Sequence, residues 1–365
     1  MYNFDWYNPT RIIFGKQEIK KLNSIISKDK TILLTYGGGS IKKNGVYNQV
    51  VEALKGYKII EFGGIEPNPT YETCKKAIEL GKRENIDFIL AVGGGSVIDG
   101  SKFIAAGIPL ECDAWKLMTR EEEVKKAIPL GTVLTLPATG SESNCGFVLS
   151  RKETGEKVNL LNQHLFPQFS ILDPETTYSL SDRQIKNGIV DTFVHTIEQY
   201  LTTETNADIQ DRISEGILKS LIEVGSKSLI EKTNYDVRAN LMWAATNALN
   251  GWIGLGVDHD WATHMIGHEL TAMYGLDHAV TLAIVLPSVM EYKKDKKFKK
   301  LIQYGKRVWE LTGSDDEIVE SAILKTREFF EKVGIKTRIS EYNIAETEFD
   351  NIIEVFKSHK NYMTA

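Results

Sequence analysis

Cysteine is scarce in this chain of 365 residues. The three cysteines, Cys74, Cys112 and Cys145, are odd in number and far apart, and none belongs to a C-x-x-C pair. Their spacing supports neither a disulfide framework nor a cysteine-based metal site, and it is typical of proteins from a reducing compartment. We therefore expect a cytoplasmic protein.

Long apolar runs and an excess of positive charge are absent as well. No uncharged apolar stretch approaches the roughly 18 residues of a membrane span, and the N-terminal segment MYNFDWYNPTR does not resemble a signal peptide. The 44 Lys and Arg residues are outnumbered by 49 Asp and Glu residues, giving a net charge of −5. This balance argues against nucleic acid or an anionic membrane as a partner. The lysine-rich segment 293–300 is interpreted as a solvated helix face.

The two halves of the chain have different patterns. Four apolar runs, at 31–35, 58–62, 88–92 and 132–137, alternate with helical stretches in the first half, which predicts a parallel sheet covered on both faces. Long stretches with a period of 3.6 residues follow from Ser181 onward. We expect an α/β domain over 1–177 and an all-helical domain over 178–365.

Two glycine clusters follow predicted strands. Gly37-Gly38-Gly39-Ser40 and Gly93-Gly94-Gly95-Ser96 each lie between a strand and a helix. Glycines let the backbone approach a ligand closely, and the helix N-terminus offers free N–H groups to a phosphate. Neither cluster is a G-x-G-x-x-G motif, and a tight turn without a ligand is the alternative. The polar loop 135–144, at the end of another strand, is a further candidate for ligand binding or for a capped turn.

The first glycine cluster bears on the choice between NAD and NADP. Gly39 and Ser40 leave room and a hydroxyl donor, and Lys42 or Lys43 could add positive charge, which favours a 2′-phosphate. Glu61, at the end of the second strand, could instead accept a ribose hydroxyl, or it could be an exposed strand end.

Acidic and histidine side chains recur at helical spacing in the second half. Asp191 and His195 are four residues apart, as are His264 and His268, and His278 follows the predicted helix stop at Gly275. One carboxylate and three neutral imidazoles would form a four-ligand site for a divalent transition metal. Each histidine alone could be a structural core or capping residue. The segment His264–His268 lacks the glutamate of a metalloprotease helix.

Four segments together resemble the iron-containing alcohol dehydrogenase family, in particular its butanol-dehydrogenase and aldehyde-reductase branch. They are GGGSVIDGSK (93–102), PATGSE (137–142), DTFVH (191–195) and HMIGHEL (264–270). The resemblance runs from Asn8-Pro9-Thr10 to Tyr362-Met363-Thr364. It implies an α/β dinucleotide domain, an all-helical domain and a metal between them.

The resemblance also implies roles for individual residues. The implied metal ligands are Asp191, His195, His264 and His278. The pyrophosphate is expected at Gly94, Gly95 and Ser96, and the adenosine end at Gly37, Gly38, Gly39 and Ser40. The other expected cofactor residues are Asn68, Asp99, Thr135, Thr139, Asn144 and Lys157. The candidate catalytic residues are His268, Asp99 and Lys157, with His268 either relaying a proton or packing behind the ligands.

The implied activity is that of a metal-dependent, NAD(P)H-linked alcohol dehydrogenase acting mainly as an aldehyde reductase. NADP(H) is the favoured cofactor, and NAD(H) is possible. The expected metal is Fe²⁺ or Zn²⁺. The expected substrates are small primary alcohols such as butanol and their aldehydes. The apolar segment around Trp252 and Trp261 fits such substrates. A homodimer is expected. The alternatives are a polyol dehydrogenase or a dehydroquinate-synthase-like lyase on the same scaffold, or a nucleotide- or metal-binding module without catalysis.

Overall fold

The computed structural model describes residues 1–358, so the motif Tyr362-Met363-Thr364 lies outside the described residues. The strands within them are β1 (Arg11–Phe14), β2 (Thr31–Tyr36), β3 (Lys58–Phe62), β4 (Phe88–Gly94), β5 (Leu130–Leu136), β6 (Gly146–Arg151), β7 (Glu156–Leu161) and β8 (Phe169–Leu172). The α-helices are α1 (Leu22–Ile25), α2 (Ser40–Lys43), α3 (Val46–Ala53), α4 (Tyr71–Arg83), α5 (Gly95–Gly107), α6 (Asp182–Tyr200), α7 (Asp208–Ile230), α8 (Tyr235–Ala248), α9 (Ala262–Tyr274), α10 (His278–Tyr292), α11 (Phe298–Arg307), α12 (Asp315–Val333) and α13 (Phe349–Ser358).

Six strands form one parallel sheet in the order β1-β8-β5-β4-β2-β3, which confirms the predicted sheet. Successive side chains of β2 enter two different cores: Leu33 packs in one core with Ile104 of α5, and Ile32 lies in the other with Val50 of α3. Because both faces are buried, the strands are apolar along their length rather than alternating. Strand β1 lies at the edge of the sheet.

Two compact units make up the chain. One contains the sheet and consists of Tyr7–Leu180 and Lys232–Asn250, so helix α8 belongs to it. The other is helical and consists of Met1–Trp6, Ser181–Glu231 and the chain from Gly251 onward. The division of the chain into domains 1–177 and 178–365 stays a prediction.

Capping side chains and glycines define several boundaries of the helical unit. Ser181 and Gln184 form a capping box at the start of α6, where side chain and backbone satisfy each other's donors. Gly275 ends α9 with a φ of 66°, a left-handed conformation that suits glycine, which confirms the helix stop predicted from sequence. No described helix is long and apolar enough to cross a lipid bilayer.

Two features differ from the sequence analysis. The antiparallel hairpin of β6 and β7 was not anticipated. The segment 293–300 is not simply a solvated face, because two of its lysines form ion pairs. Lys297 Nζ lies 2.5 Å from Asp260 Oδ2, and Lys300 Nζ lies 2.6 Å from Asp211 Oδ1. Lys300 is only 6% exposed. Acidic partners distant in the sequence therefore neutralise part of this lysine cluster.

Candidate functional site

Helix α6 supplies two of the predicted metal ligands. Asp191 and His195 lie one turn apart on this helix, and each is 5% exposed. Their facing atoms, Asp191 Oδ1 and His195 Nε2, are 3.7 Å apart. The i, i+4 spacing read from the sequence therefore places both side chains on the same buried face.

Helices α9 and α10 supply the other two predicted ligands. His264 lies in the first turn of α9, and His278 is the first residue of α10. Asp277, directly before His278, accepts hydrogen bonds from Asn187 Nδ2 at 2.9 Å and from Arg183 Nε at 2.6 Å. Since Arg183 and Asn187 belong to α6, these bonds hold the start of α10 against the helix that carries Asp191.

The imidazole rings of three histidines approach one oxygen of Asp191, and His195, His264 and Asp191 form a closer group that does not include His278. The Nε2 atoms of His264 and His278 lie 3.7 Å and 3.8 Å from Asp191 Oδ1, close to the distance found for His195. Ligand atoms of Asp191, His195 and His264 all lie within 4.8 Å of one another. Donors bound tetrahedrally to one Zn²⁺ at about 2.1 Å are about 3.4 Å apart. A small inward movement would thus bring these donors to coordination distance.

The chemistry of the donors also fits a cation. Among the described residues, neither Asp191 Oδ1 nor His264 Nε2 has a hydrogen-bond partner, although both atoms are buried. A buried acceptor left without a partner costs about 1–3 kcal/mol. A metal ion between the two atoms would remove that cost. The side chain of His278 is 25% exposed, against 7% for Asp191, so the His278 side of the cluster is the one open to a small molecule.

A buried carboxylate behind His264 was not found by sequence analysis. Glu198, 3% exposed, contacts His264 Nδ1 through Oε2. Burial lowers the pKa of His264, whereas the carboxylates of Glu198 and Asp191 raise it. The signal in the sequence was its position, three residues after His195 and seven after Asp191, on the same face of the helix.

His268 lies beside the cluster. Its ring centroid is 5.0 Å from that of His278 and 6.2 Å from that of His264. Trp261 also borders the cluster, with its ring 5.4 Å from that of His264. The cluster is thus flanked by one titratable ring and one large apolar ring.

The predicted pyrophosphate residues lie where β4 leads into α5. Strand β4 ends at Gly94, and α5 begins at Gly95, with Ser96 in its first turn. A Cβ at Gly95 would lie 2.3 Å from Thr139 Oγ1, so only glycine allows this close approach of loop and helix. Helix N-termini of this kind favour anions.

The first glycine cluster lies at the same end of the sheet as the second. Strand β2 pairs with β4 in parallel, so both strands have their carboxyl ends on that side. Gly37, Gly38, Gly39 and Ser40 directly follow β2 there. Gly39 has a φ of 89°. Glu61, at the end of β3, accepts hydrogen bonds from Lys42 Nζ and Tyr36 Oη, both at 2.9 Å. Its Oε2 atom is therefore already engaged by two donors of the protein.

Asp99 and Asn144 belong to a buried network around Lys102. Lys102 Nζ donates to Asn144 Oδ1 at 3.0 Å, to Ser141 Oγ at 2.9 Å and to the Gly146 carbonyl at 2.7 Å. Asp99 Oδ1 accepts the Ser141 hydroxyl at 2.6 Å. Burial raises the pKa of Asp99 and lowers that of Lys102 to about 8, each opposed by the charge of the other. The network fixes the loop that carries Thr139 and Asn144.

The remaining predicted cofactor residues have distinct places. Asn68 has a φ of 54°, and its Oδ1 accepts a hydrogen bond from Lys157 Nζ at 3.0 Å. Thr135 is a buried residue near the end of β5. Asn68 is thus hydrogen-bonded to Lys157, whereas Asp99 and Asn144 are linked through the hydrogen bonds of Ser141 and Lys102.

Comparison with known proteins gives matches over nearly the whole chain. A family model described as iron-containing alcohol dehydrogenase matches residues 9–174, and one for the C-terminal part of that family matches residues 185–363. The NADPH-dependent aldehyde reductase YqhD of Escherichia coli is 56% identical over 98% of this chain and 94% of its own length. NADH-dependent butanol dehydrogenase A of Clostridium acetobutylicum is 40% identical over 96% of this chain and 92% of its own length.

Solved structures agree with these matches. A substrate- and cofactor-free structure of YqhD has a TM-score of 0.93 at 54% identity, covering 98% of this chain and 94% of that one. NADH-dependent butanol dehydrogenase A from Thermotoga maritima has a TM-score of 0.93 at 36% identity, covering 97% of this chain and 90% of that one.

Proposed function

Because the chain belongs to the iron-containing alcohol dehydrogenase family, we propose that it reduces small aldehydes to primary alcohols with NADPH and also catalyses the reverse oxidation. Each reduction would consume one aldehyde, one NADPH and one proton and would yield the alcohol and NADP⁺. Butanal is the proposed test substrate, since butanol dehydrogenases are among the relatives.

The convergence of three imidazole Nε2 atoms on one oxygen of Asp191 carries this proposal. Asp191, His195, His264 and His278 would hold Fe²⁺ or Zn²⁺, since both metals accept imidazole and carboxylate donors. When bound, the cation would act as a Lewis acid toward the carbonyl oxygen, and the reduced nicotinamide would supply the hydride. One carboxylate against a divalent ion leaves a net charge of about +1 at the site.

His268 is the proposed proton relay. An imidazole titrates near neutral pH, and this ring lies next to the more exposed ligand, His278. Trp261 covers another side of the cluster, which favours a small apolar substrate and limits access of water.

NADP(H) is the proposed cofactor, with NAD(H) as the alternative, because the relatives include both kinds of enzyme. Gly94, Gly95 and Ser96 would bind the pyrophosphate, and Gly37 to Ser40 the adenosine end. Position 39 carries no carboxylate that would repel a 2′-phosphate. Lys42 remains cationic, because hydrogen bonds with Tyr36 and Glu61 raise its pKa.

We further propose a cytoplasmic homodimer with neither nucleic acid nor membrane as a partner. The three cysteines are free, which suits a reducing compartment. Within the described residues β1 pairs with β8 only, so its outer edge is available to a second copy. Phe14 on β1 and Trp243 form an exposed aromatic pair, with centroids 5.9 Å apart.

Steady-state oxidation of NADPH with butanal, followed on protein of known metal content, tests the function directly. We expect turnover that requires both the metal and the aldehyde. Metal-loaded protein that binds NADPH but leaves butanal and its homologues unreduced would contradict the proposal and favour a lyase or a binding module.

A further inference from the structure

Glu198 connects α6 to the start of α9. Its Oε1 accepts the backbone N–H groups of Thr263 at 2.6 Å and of His264 at 3.3 Å. Its backbone carbonyl accepts the N–H of Asp260 at 2.9 Å. The residue before α9 is Trp261, whose side chain makes no capping hydrogen bond. Asp260 Oδ1 accepts the N–H of Ala262, the first residue of α9, at 3.3 Å, and Glu198 supplies from another helix the acceptor for the next two N–H groups.

The second oxygen of this carboxylate has a different partner. Glu198 Oε2 contacts Nδ1 of His264. An ionised carboxylate only accepts hydrogen bonds, so Nδ1 must carry a proton for this contact to be favourable. In a neutral imidazole the lone pair then resides on Nε2, the atom that lies 3.7 Å from Asp191 Oδ1.

We propose that Glu198 is a positioning residue that sets His264 in the Nδ1-protonated tautomer and orients Nε2 for metal binding. The inference rests on the proposed metal site and adds to it a residue that is not itself a ligand. In many metal sites a carboxylate accepts a hydrogen bond from the histidine nitrogen that does not bind the metal. This bond fixes the orientation of the ring and makes the other nitrogen a stronger metal ligand. Two bonds to the backbone fix Glu198 in turn, so the imidazole is held against a rigid support.

Replacement of Glu198 by glutamine separates the two roles of the carboxylate. The amide oxygen of the substituted side chain can still accept the two backbone N–H groups and keep α9 capped. The amide nitrogen would then face Nδ1 and donate to it, which favours the tautomer with a proton on Nε2. That tautomer has no lone pair on Nε2, the atom that faces Asp191 Oδ1.

The test measures Zn²⁺ affinity by competition with a chelator, and the visible absorption of bound Co²⁺ as a report on coordination. We expect E198Q to bind Zn²⁺ about 10- to 100-fold more weakly than wild type and to change the Co²⁺ spectrum. Glu215→Gln is the matched control, because Glu215 is also buried in the helical unit but binds Tyr200 and Arg307 instead. Its Zn²⁺ affinity should equal that of wild type.

The outcomes are distinguishable. If the wild-type chain binds no Zn²⁺ or Co²⁺, the proposed metal site itself fails. If wild type and E198Q bind Zn²⁺ equally, the metal site stands and the role of Glu198 is rejected. If E198Q does not fold, ¹⁵N-histidine NMR of the Zn²⁺-loaded wild-type chain decides: a proton on Nδ1 of His264 is expected, and a proton on Nε2 would overturn the inference.

Discussion

Lys42 and Glu61 form an ion pair with Nζ and Oε2 2.9 Å apart. Tyr36 and Tyr47 donate their hydroxyls to the same carboxylate, and the Lys42 ammonium lies 4.9 Å and 4.6 Å from the centroids of their rings. In many dinucleotide folds an acidic residue at such a strand end binds the ribose 2′-hydroxyl. Here that carboxylate instead holds a cation at the predicted adenosine end.

Substitution of Lys42 by methionine should weaken NADPH selectively. A charge-assisted hydrogen bond to a phosphate contributes about 1.5–3 kcal/mol, so we expect KM for NADPH to rise about tenfold or more. KM for NADH should change little, because NADH lacks the 2′-phosphate. Equal effects on the two KM values would show that Lys42 does not contact the 2′-phosphate.

A carboxylate at position 39 should also disfavour NADPH. Gly39 has a φ of 89°, so any side chain there adds strain, and Gly39→Asn provides a control of the same shape without charge. We expect Gly39→Asp to lower kcat/KM with NADPH relative to NADH, and Gly39→Asn to change the ratio less. If both variants gave the same cofactor ratio, charge repulsion with the 2′-phosphate would be excluded.

Removal of a ligand should abolish metal binding and turnover together. We expect His264→Ala to lower Zn²⁺ or Fe²⁺ affinity by more than about 100-fold, because the deleted Nε2 is one of the four proposed donors. This loss is larger than that expected for a residue that only supports a ligand. Elemental analysis after dialysis measures the effect. His164→Ala is the control, because His164 is exposed and lies in the other unit. A metal-free His264→Ala enzyme with full activity would contradict the Lewis-acid role.

His268→Ala should leave metal content unchanged and slow proton delivery. General acid catalysis contributes about 10²- to 10⁴-fold, so we expect kcat to fall by about 100-fold and added imidazole to restore part of it. The solvent deuterium isotope effect on kcat should rise as proton transfer becomes limiting. A wild-type rate and isotope effect would assign His268 a packing role instead.

The network around Lys102 should contribute strongly to stability. Lys102→Met leaves the Asn144 and Gly146 carbonyls without their buried donor and removes the cation beside Asp99, which costs about 3–5 kcal/mol. Urea denaturation of the α/β unit within the full chain measures the loss. Lys152→Met, which breaks the exposed pair with Glu66, should cost no more than about 1 kcal/mol.

Local patterns predicted much of the fold. The apolar run 58–62 gives β3 at the same residues, and Gly275 ends α9 as expected. The hairpin of β6 and β7 was missed because its strands are only partly buried and mix apolar with polar and charged residues. The spacing of Asp191 and His195 identified a shared helix face, whereas their approach to His278 depends on how α6, α9 and α10 pack.

Glu198 shows why the rest of the site was not accessible from sequence. A glutamate within a helix is usually a solvated residue, and the only indication of burial is the spacing that places Glu198 on the helix face of Asp191 and His195. Its partners, Thr263 and His264, are on another helix. The same limit applies to Lys297, whose partner Asp260 precedes α9.

The candidate ligands enter the chain in a fixed order, with Asp191 and His195 on α6 first, His264 on α9 later and His278 last. A ribosome releases the chain from the N-terminus, so a nascent polypeptide has only a partial set of donors until α10 emerges. The complete set of proposed donors is therefore present only after α10 has left the ribosome, and a chain truncated before α10 would lack His278.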